Sequence, residues 1–273
     1  MICKNCGQNN PPQARFCLKC GLVLPPKTTF ASEVGSSYDN GWKQLWKHFL
    51  ELFLIGLIYF VINLPFNVIQ WINGGFFVSF LSFFYSLLIV GPVGYGLSFA
   101  FLRAAREDKV EVQDMFAAFR NYWSAVFANM LVSIIIGTGP LIFGVLLLYL
   151  GESSAGPVAI LIGTLVFALF LIAAIFFTCK LAFVPYLVVD RKVGCIKAIK
   201  ESWNMTGGHG WKVFLIGLLA IPIVIAGLIC LFVGVIISIM WVNMALASLY
   251  HAVSTSGAAP KPLAPTAPPP LVP

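Results

Sequence analysis

The residues best suited to chemistry are four cysteines near the N-terminus. Cys3 and Cys6, then Cys17 and Cys20, form two Cys-x-x-Cys-Gly knuckles within MICKNCGQNNPPQARFCLKCG. A thiolate pair at this spacing can aim both sulfurs at one ion across a tight turn, and two such pairs complete a tetrahedral set. Gly7 and Gly21 each follow the second cysteine of a knuckle, where permissive backbone lets amides turn toward the sulfurs. Structural Zn2+ held by Cys3, Cys6, Cys17 and Cys20 is the expected cofactor. Rubredoxin-like iron or two disulfides would use the same residues, the disulfides only in an oxidising compartment. Four sulfurs leave no open position for a reacting water, so zinc catalysis is not expected. So short a segment cannot bury an adequate core, and bound metal must supply its folding free energy, on the order of 10–16 kcal/mol.

Elsewhere the chemistry thins out. His48, His209 and His251 fall near one predicted boundary, but in different segments and without a paired nucleophile motif. The run Thr206-Gly-Gly-His-Gly210 lacks the spacing and the Lys-Ser/Thr end of a phosphate loop, and reads as a flexible lead into a helix. Asp190-Arg191 reads as a local ion pair or turn, and Cys179, Cys195 and Cys230 as small apolar fillers. No catalytic residues and no enzyme are expected.

Residues 1 to about 24 resemble the short zinc-ribbon modules at the N-termini of many bacterial and archaeal membrane proteins, on the strength of the doubled Cys-x-x-Cys-Gly. Lys4, Arg15, Lys19 and Lys27 make this module mildly basic. Scattered charges without interleaved stacking aromatics mark a solvated face rather than a nucleic-acid surface.

The elements behind the module are greasy. Of 273 residues, 59% are hydrophobic and 10% charged, with a mean hydropathy of +0.92. Soluble domains carry about 25% charged residues, so the bulk of this chain belongs in a bilayer. No cleavable signal is visible, and the first span is expected to do the targeting. The predicted architecture is an all-α polytopic membrane protein with six spans in three hairpins, at 49–69, 76–101, 124–149, 158–180, 212–230 and 233–252. Five spans is the alternative count, because Val213 to Tyr250 contains no charged residue to mark the turn of the last pair. The ribbon (1–24), a flexible linker (25–41), the transmembrane domain (42–253) and a disordered Pro/Ala-rich tail (254–273) complete the plan.

Charge placement sets the orientation. The 17 Lys and Arg fall before residue 48, between Arg103 and Arg120, between Lys180 and Lys212, and at Lys261. With six spans all of them share one side, which the positive-inside rule makes cytoplasmic. A plasma or inner membrane protein with both ends in the cytoplasm follows, and its cysteines lie where thiols stay reduced.

Three amphipathic stretches precede the odd-numbered spans: Trp42, Leu45, Trp46 and Phe49; Val112, Met115, Phe116, Phe119 and Trp123; and Val193, Ile196, Ile199 and Trp203. Each reads as an interfacial helix with Trp at the boundary. GWKQLW before FLIGLI, and GWKV before FLIGLL, hint at a unit of interfacial helix, span, hairpin and span used three times. The runs GLSFAFLRAAREDKVEVQDMFAAF (96–119) and FVPYLVVDRKVGCIKAIKESWNMTGGHGW (183–211) are similar to stretches of bacterial and archaeal multi-pass families of unknown function. They also resemble the membrane domain attached to some glycerophosphodiester phosphodiesterases. The likeness implies a fold and no reaction, since no phosphodiesterase domain accompanies it.

Within the spans ionisable residues are nearly absent, which weakens coupled transport. Asn63, Asn67, Asn129 and Asn243 are the main polar groups there and suit hydrogen bonds between helices. Helix breaks are expected at Gly91-Pro92, Gly139-Pro140 and Pro222, and such breaks are the best argument for a substrate path. The sum is a non-enzymatic integral membrane protein, in contact with the lipid bilayer and with a protein partner reached through its ribbon. A transporter or channel using the broken helices is the rival. Intact cells treated with a membrane-impermeant thiol reagent should leave the four ribbon cysteines unmodified, and a reporter fused to the C-terminus should be active only inside the cell.

Overall fold

The computed structural model describes residues 6–8, 17–21, 32–72, 75–152, 157–229 and 231–256. Every regular element among them is helical: α1 (Val34–Lys47), α2 (Phe49–Ile72), α3 (Phe76–Tyr85), a π-helical turn (Ser86–Val90), α4 (Gly91–Ala105), a 3-10 segment (Val112–Asn121), α5 (Tyr122–Glu152), α6 (Pro157–Leu181), α7 (Val184–Asp190), α8 (Cys195–Met205), α9 (Gly210–Ile229) and α10 (Leu231–Ser256). Five continuous apolar runs are long enough to cross a membrane: Phe76–Ala105, Val112–Gly139, Gly163–Asp190, Gly210–Ile229 and Gly234–Thr255. A sixth joins them if α1 and the first part of α2, which meet at 90°, count as one bent span. Five of the predicted spans thus recur, as α3–α4, α5, α6, α9 and α10, and the first coincides with α2, which passes as a span only in that bent pair.

Two boundaries differ from the sequence reading. Helix α1 begins at Val34, inside the expected linker, because Ser37 and Tyr38 of the polar run SSYDN are committed to packing rather than to solvent. Ser37 donates to the Glu33 carbonyl (2.8 Å) and buried Tyr38 donates to the Ile216 carbonyl (2.9 Å). Helix α10 runs to Ser256, past the expected start of the tail, with Thr255 donating to the His251 carbonyl at 2.8 Å. Residues 25–31 of the expected linker and 257–273 of the expected tail lie outside the described residues.

The packed core lies at the end of the spans where the basic loops gather. Leu45, Leu52, Ile55, Leu102, Met115, Phe183, Leu187, Met244, Leu249 and Tyr250 are fully buried there. Toward the opposite end large side chains face outward, with Trp71 and Phe76 each 89% exposed and Ile229 80%. An aqueous protein does not present such a surface, and acyl chains cover it at no cost. Half of the window that makes α10 a span is buried, against 6–17% for the other four, so α10 is the post around which the rest assemble.

The three amphipathic segments sit as a repeat requires. Each packs against the even-numbered span before it, if the chain is followed as a ring: α1 on α10, the 3-10 segment on α4, and α8 on α7 and the end of α6. Small or polar residues make these contacts, so the backbones can approach. A Cβ on Gly41 would stand 3.1 Å from the Ala245 nitrogen, and one on Gly96 would stand 1.7 Å from the Met115 carbonyl oxygen. In α8 the buried positions are Ala198 and Ser202, and the Ser202 hydroxyl donates to the Lys180 carbonyl at 2.8 Å. The large aromatics of the apolar stripes point away from these contacts. Trp42, Trp46, Phe116, Phe119, Trp123 and Trp203 are all substantially exposed, as suits rings at a membrane–water boundary. The second and third units also share a turn signature. Glu107 and Lys192 each follow an arginine and adopt positive φ (62° and 52°), where the chain leaves an even span for the next interfacial helix.

Helix α7 was not anticipated, since the fourth predicted span ends at residue 180. Pro185 falls in the first turn, where its missing N–H is not needed. Gly96→Ala forces a backbone separation between α4 and the 3-10 segment, a cost at or above the upper end of the ~1–3 kcal/mol typical of overpacking. A clear drop in thermal midpoint in detergent is expected for this variant. Gly56→Ala, where no atom lies within 4 Å of the added carbon, should leave the midpoint unchanged.

Candidate metal centre and buried charge cluster

The expected metal ligands converge in part. The sulfurs of Cys6, Cys17 and Cys20 all lie within 4.8 Å of one another, and Cys6 and Cys17 Sγ are 3.4 Å apart. Tetrahedral thiolates ~2.3 Å from a zinc ion stand about 3.8 Å from each other, so this set fits a shared ion. Cys3 lies outside the described residues. Both knuckle glycines have left-handed backbone, with φ of 69° at Gly7 and 68° at Gly21, which is the freedom that position demands. The Gly21 amide donates to the Cys17 carbonyl at 2.9 Å and closes the second knuckle. Cys17 is buried and Cys20 exposed, so one side of the cluster faces outward. Among the described residues no other group of three His, Cys, Asp or Glu side chains converges in this way.

A second constellation was not legible in the sequence. Arg106, just past α4, grips Asp190, the last residue of α7, through two parallel hydrogen bonds: Nη1 to Oδ1 at 2.6 Å and Nη2 to Oδ2 at 2.7 Å. Both side chains are mostly buried, at 25% and 16% exposure. Tyr250 of α10, fully buried and stacked on Tyr186 at 5.0 Å, directs its hydroxyl to Asp190 Oδ2 at 3.4 Å. His251 follows, within electrostatic reach of both charges. Each of the three repeated units therefore contributes to one polar knot. Burial alone pushes the Arg106 guanidinium down; the hydrogen bonds and charge of Asp190 more than reverse this, and its affinity for protons ends above the ordinary value.

Asp190-Arg191 is thus a turn but not the expected local ion pair. Asp190 turns inward to Arg106, and Arg191 pairs with Glu201 of α8. Other contacts fasten the same end. Arg103 binds Asp114 at 2.5 Å, Gln44 Nε2 donates to Glu107 Oε1 at 3.1 Å, and Asn40 Nδ2 donates to Ser248 Oγ at 2.9 Å. The three histidines do not assemble. His48 lies between α1 and α2, where burial and then neighbouring Lys47 lower its proton affinity; His209 sits in the turn before α9 and His251 in α10. The segment 206–210 is not simply a flexible lead. Thr206 is fully buried, and its hydroxyl hooks back to the Ser202 carbonyl at 2.8 Å.

The expected helix breaks are not interruptions. Phe76–Ala105 runs through Gly91-Pro92 by way of the π-helical turn, and α5 and α9 continue past Gly139-Pro140 and Pro222. Pro92 has no N–H for the Leu88 carbonyl, and the Tyr122 hydroxyl donates to that oxygen at 3.0 Å. Gly91 is needed because Asn129 fills its side: a Cβ there would be 2.3 Å from Asn129 Nδ2. Asn129 therefore does work between helices, by packing. Asn63 and Asn243 donate to carbonyls four residues back in their own helices, both at 2.8 Å. The Asn67 side chain and Cys230 lie outside what is described, while Cys179 and Cys195 pack against the core as expected of small fillers.

Arg106→Ala or Asp190→Ala leaves one buried charge without its partner, a loss of about 3–5 kcal/mol. Either variant should unfold at a markedly lower temperature in detergent. The apolar pair Arg106→Met with Asp190→Leu should recover much of the deficit, since it removes both charges together.

No curated protein and no solved structure matches the chain. Nothing among the matches carries the phosphodiesterase resemblance. One family model matches, described as "Protein of unknown function (DUF975)", and it covers residues 39–256. That span begins within α1, ends with the last residue of α10 and omits the cysteine module. The chain belongs to the DUF975 family of proteins of unknown function, as a multi-pass, all-helical member preceded by a cysteine cluster.

Proposed function

We propose that the protein is a non-enzymatic membrane scaffold or accessory protein. It displays a structural zinc ribbon, liganded by Cys3, Cys6, Cys17 and Cys20, on the cytoplasmic side, where the ribbon docks a protein partner. The observation that carries this reading is the convergence of the Cys6, Cys17 and Cys20 sulfurs at the head of a membrane domain. Four thiolates around zinc make a closed, unreactive site, which suits a rigid recognition surface better than catalysis. The remainder of the chain offers little to react with. The charged groups buried among its helices are consumed in pairs such as Arg106–Asp190 and Arg103–Asp114.

A transporter or channel is the competing reading, favoured by the π-helical turn at Ser86–Val90, since such turns are frequent at functional sites. Against it, the carbonyl freed by Pro92 already has the Tyr122 hydroxyl, and Asn129 closes the side of Gly91. No unwound backbone is thereby offered to a solute at this point.

The full chain purified from native membranes should carry about one zinc per molecule. Cys17→Ser should abolish metal retention and the recovery of cross-linked partners, with the helical content of the membrane domain unchanged. Partners recovered equally with Cys17→Ser would remove the docking role. Zinc-independent solute flux through liposomes containing the purified protein would establish the transporter instead.

A further inference from the structure

An open groove of about 440 Å³ lies against α8, lined by Arg191, Val193, Lys197, Lys200, Glu201 and Asn204. Its volume is in the range of small-molecule sites, ~300–1,000 Å³. Three cations face one carboxylate there, and that carboxylate is already engaged by Arg191. Elsewhere at this end of the molecule many of the cations are engaged: Lys43 by Asp39, Arg103 by Asp114, Arg106 by Asp190, Lys109 by Glu111 and Lys212 by the Ser32 carbonyl. Lys197 and Lys200 are exposed and have no ion-pair partner among the described residues. The groove is therefore a concave surface with uncompensated positive charge.

Its position relative to the apolar boundary identifies what it takes. Helical spacing puts Ile196, Lys200 and Trp203 on one ridge of α8 and Lys197, Glu201 and Asn204 on the next. Ile196 is 74% exposed, and Trp203 packs on Phe176 and Phe177 of α6 with centroids 5.9 and 6.2 Å away. The Lys180 ammonium lies 5.3 Å from the Trp203 ring and 5.8 Å from that of Phe176. Cations and lipid-facing rings thus meet along one line, with Lys200 between the apolar ridge and the groove. Beyond Phe176, Ile172 and Ile175 continue an exposed apolar track along α6.

The rim is held in place before any ligand arrives. Asn121 Nδ2 donates to the carbonyls of Val188 and Val193, both at 3.3 Å, and so spans the turn that carries Arg191. Lys192, in left-handed backbone, reverses the chain between those two anchors.

We propose that this groove is a binding site for the phosphate headgroup of an anionic phospholipid, whose acyl chains lie along the exposed Ile172–Ile175–Phe176 face of α6. Arg191 offers a fixed guanidinium, and Lys197 and Lys200 supply mobile ammonium groups around a single phosphate. A free anion would gain the same charges but not the apolar track.

The test uses the full chain in a neutral detergent and reads the thermal midpoint during titration with phosphatidylglycerol, phosphatidylcholine or inorganic phosphate. Phosphatidylglycerol should stabilise saturably at concentrations where the other two do nothing. In Lys197→Ala/Lys200→Ala the half-maximal concentration should rise roughly thirtyfold, the effect of two headgroup-contacting lysines. Lys43→Ala/Lys109→Ala, which removes two lysines of the same end that are already paired, should respond like the parent. Lys197→Gln/Lys200→Gln, which keeps the apolar stems, should repeat the alanine result and replaces that variant if it proves unstable. Equal stabilisation by phosphatidylcholine, an equal response to inorganic phosphate, or an unchanged phosphatidylglycerol response in the Lys197/Lys200 variants would each overturn the assignment.

Discussion

Arg106 and Asp190 carry opposite charges out of bulk water at the point where three helical units meet, and much of the architecture follows from making that tolerable. Removing a guanidinium and a carboxylate from water costs several kcal/mol per ion. The cost is met only if both hydrogen bonds of the fork form and the remaining lone pairs are satisfied. Both bonds form here, and the Tyr250 hydroxyl approaches the same carboxylate. The geometry ties the end of α4 to the end of α7 and to α10, and apolar packing in lipid cannot do this alone. Lipid tails are as apolar as Leu, so helices in a bilayer gain little from simply hiding oily surface against one another. Specific polar closures and close backbone contacts must decide which helix sits beside which.

The glycine contacts supply the second half of that specificity. Gly96 against the Met115 carbonyl and Gly227 against Gly234 and Ser238 mark places where two segments come nearer than a side chain would permit, and Gly41 against Ala245 is a close approach of the same kind. These contacts recur in different units, and two of them join an interfacial helix to an even-numbered span. Together with the matched left-handed residues Glu107 and Lys192, they make the threefold pattern a property of the fold and not only of its hydropathy.

The spans were legible because lipid imposes a simple rule on composition: a helix that crosses must be apolar for its whole length, and the charged residues fall outside it. Every predicted span corresponds to a helix in the structure. The interfacial helices were legible for the same reason, through their period, but the face each turns to the protein was not. Trp42 and Trp46 are the largest apolar residues of α1 and are exposed, whereas Tyr38, Gly41 and Leu45 make the buried face. At a bilayer surface both sides of a helix can be apolar, one for protein and one for lipid, and side-chain size does not say which is which. Partner choice was equally hidden. Asp190 stands next to Arg191 in the chain but bonds Arg106, 84 positions away, because the direction of a side chain at a helix end is fixed by tertiary packing. The knuckle glycines were readable outright, since their conformation is a local demand of the Cys-x-x-Cys turn.

The hydrogen bond from Lys212 Nζ to the Ser32 carbonyl (2.5 Å) has a consequence for everything ahead of it. It pins the polypeptide at the very point where α1 departs along the membrane surface. Only residues 22–31 then separate the cysteine cluster from a fixed anchor, however that stretch is arranged. At ~3.5 Å per residue its contour is about 35 Å, so whatever meets those sulfurs must come within roughly one bilayer thickness of the surface. Neighbours that share the membrane, or proteins already held against it, fall inside that radius; freely diffusing ones visit it only in passing.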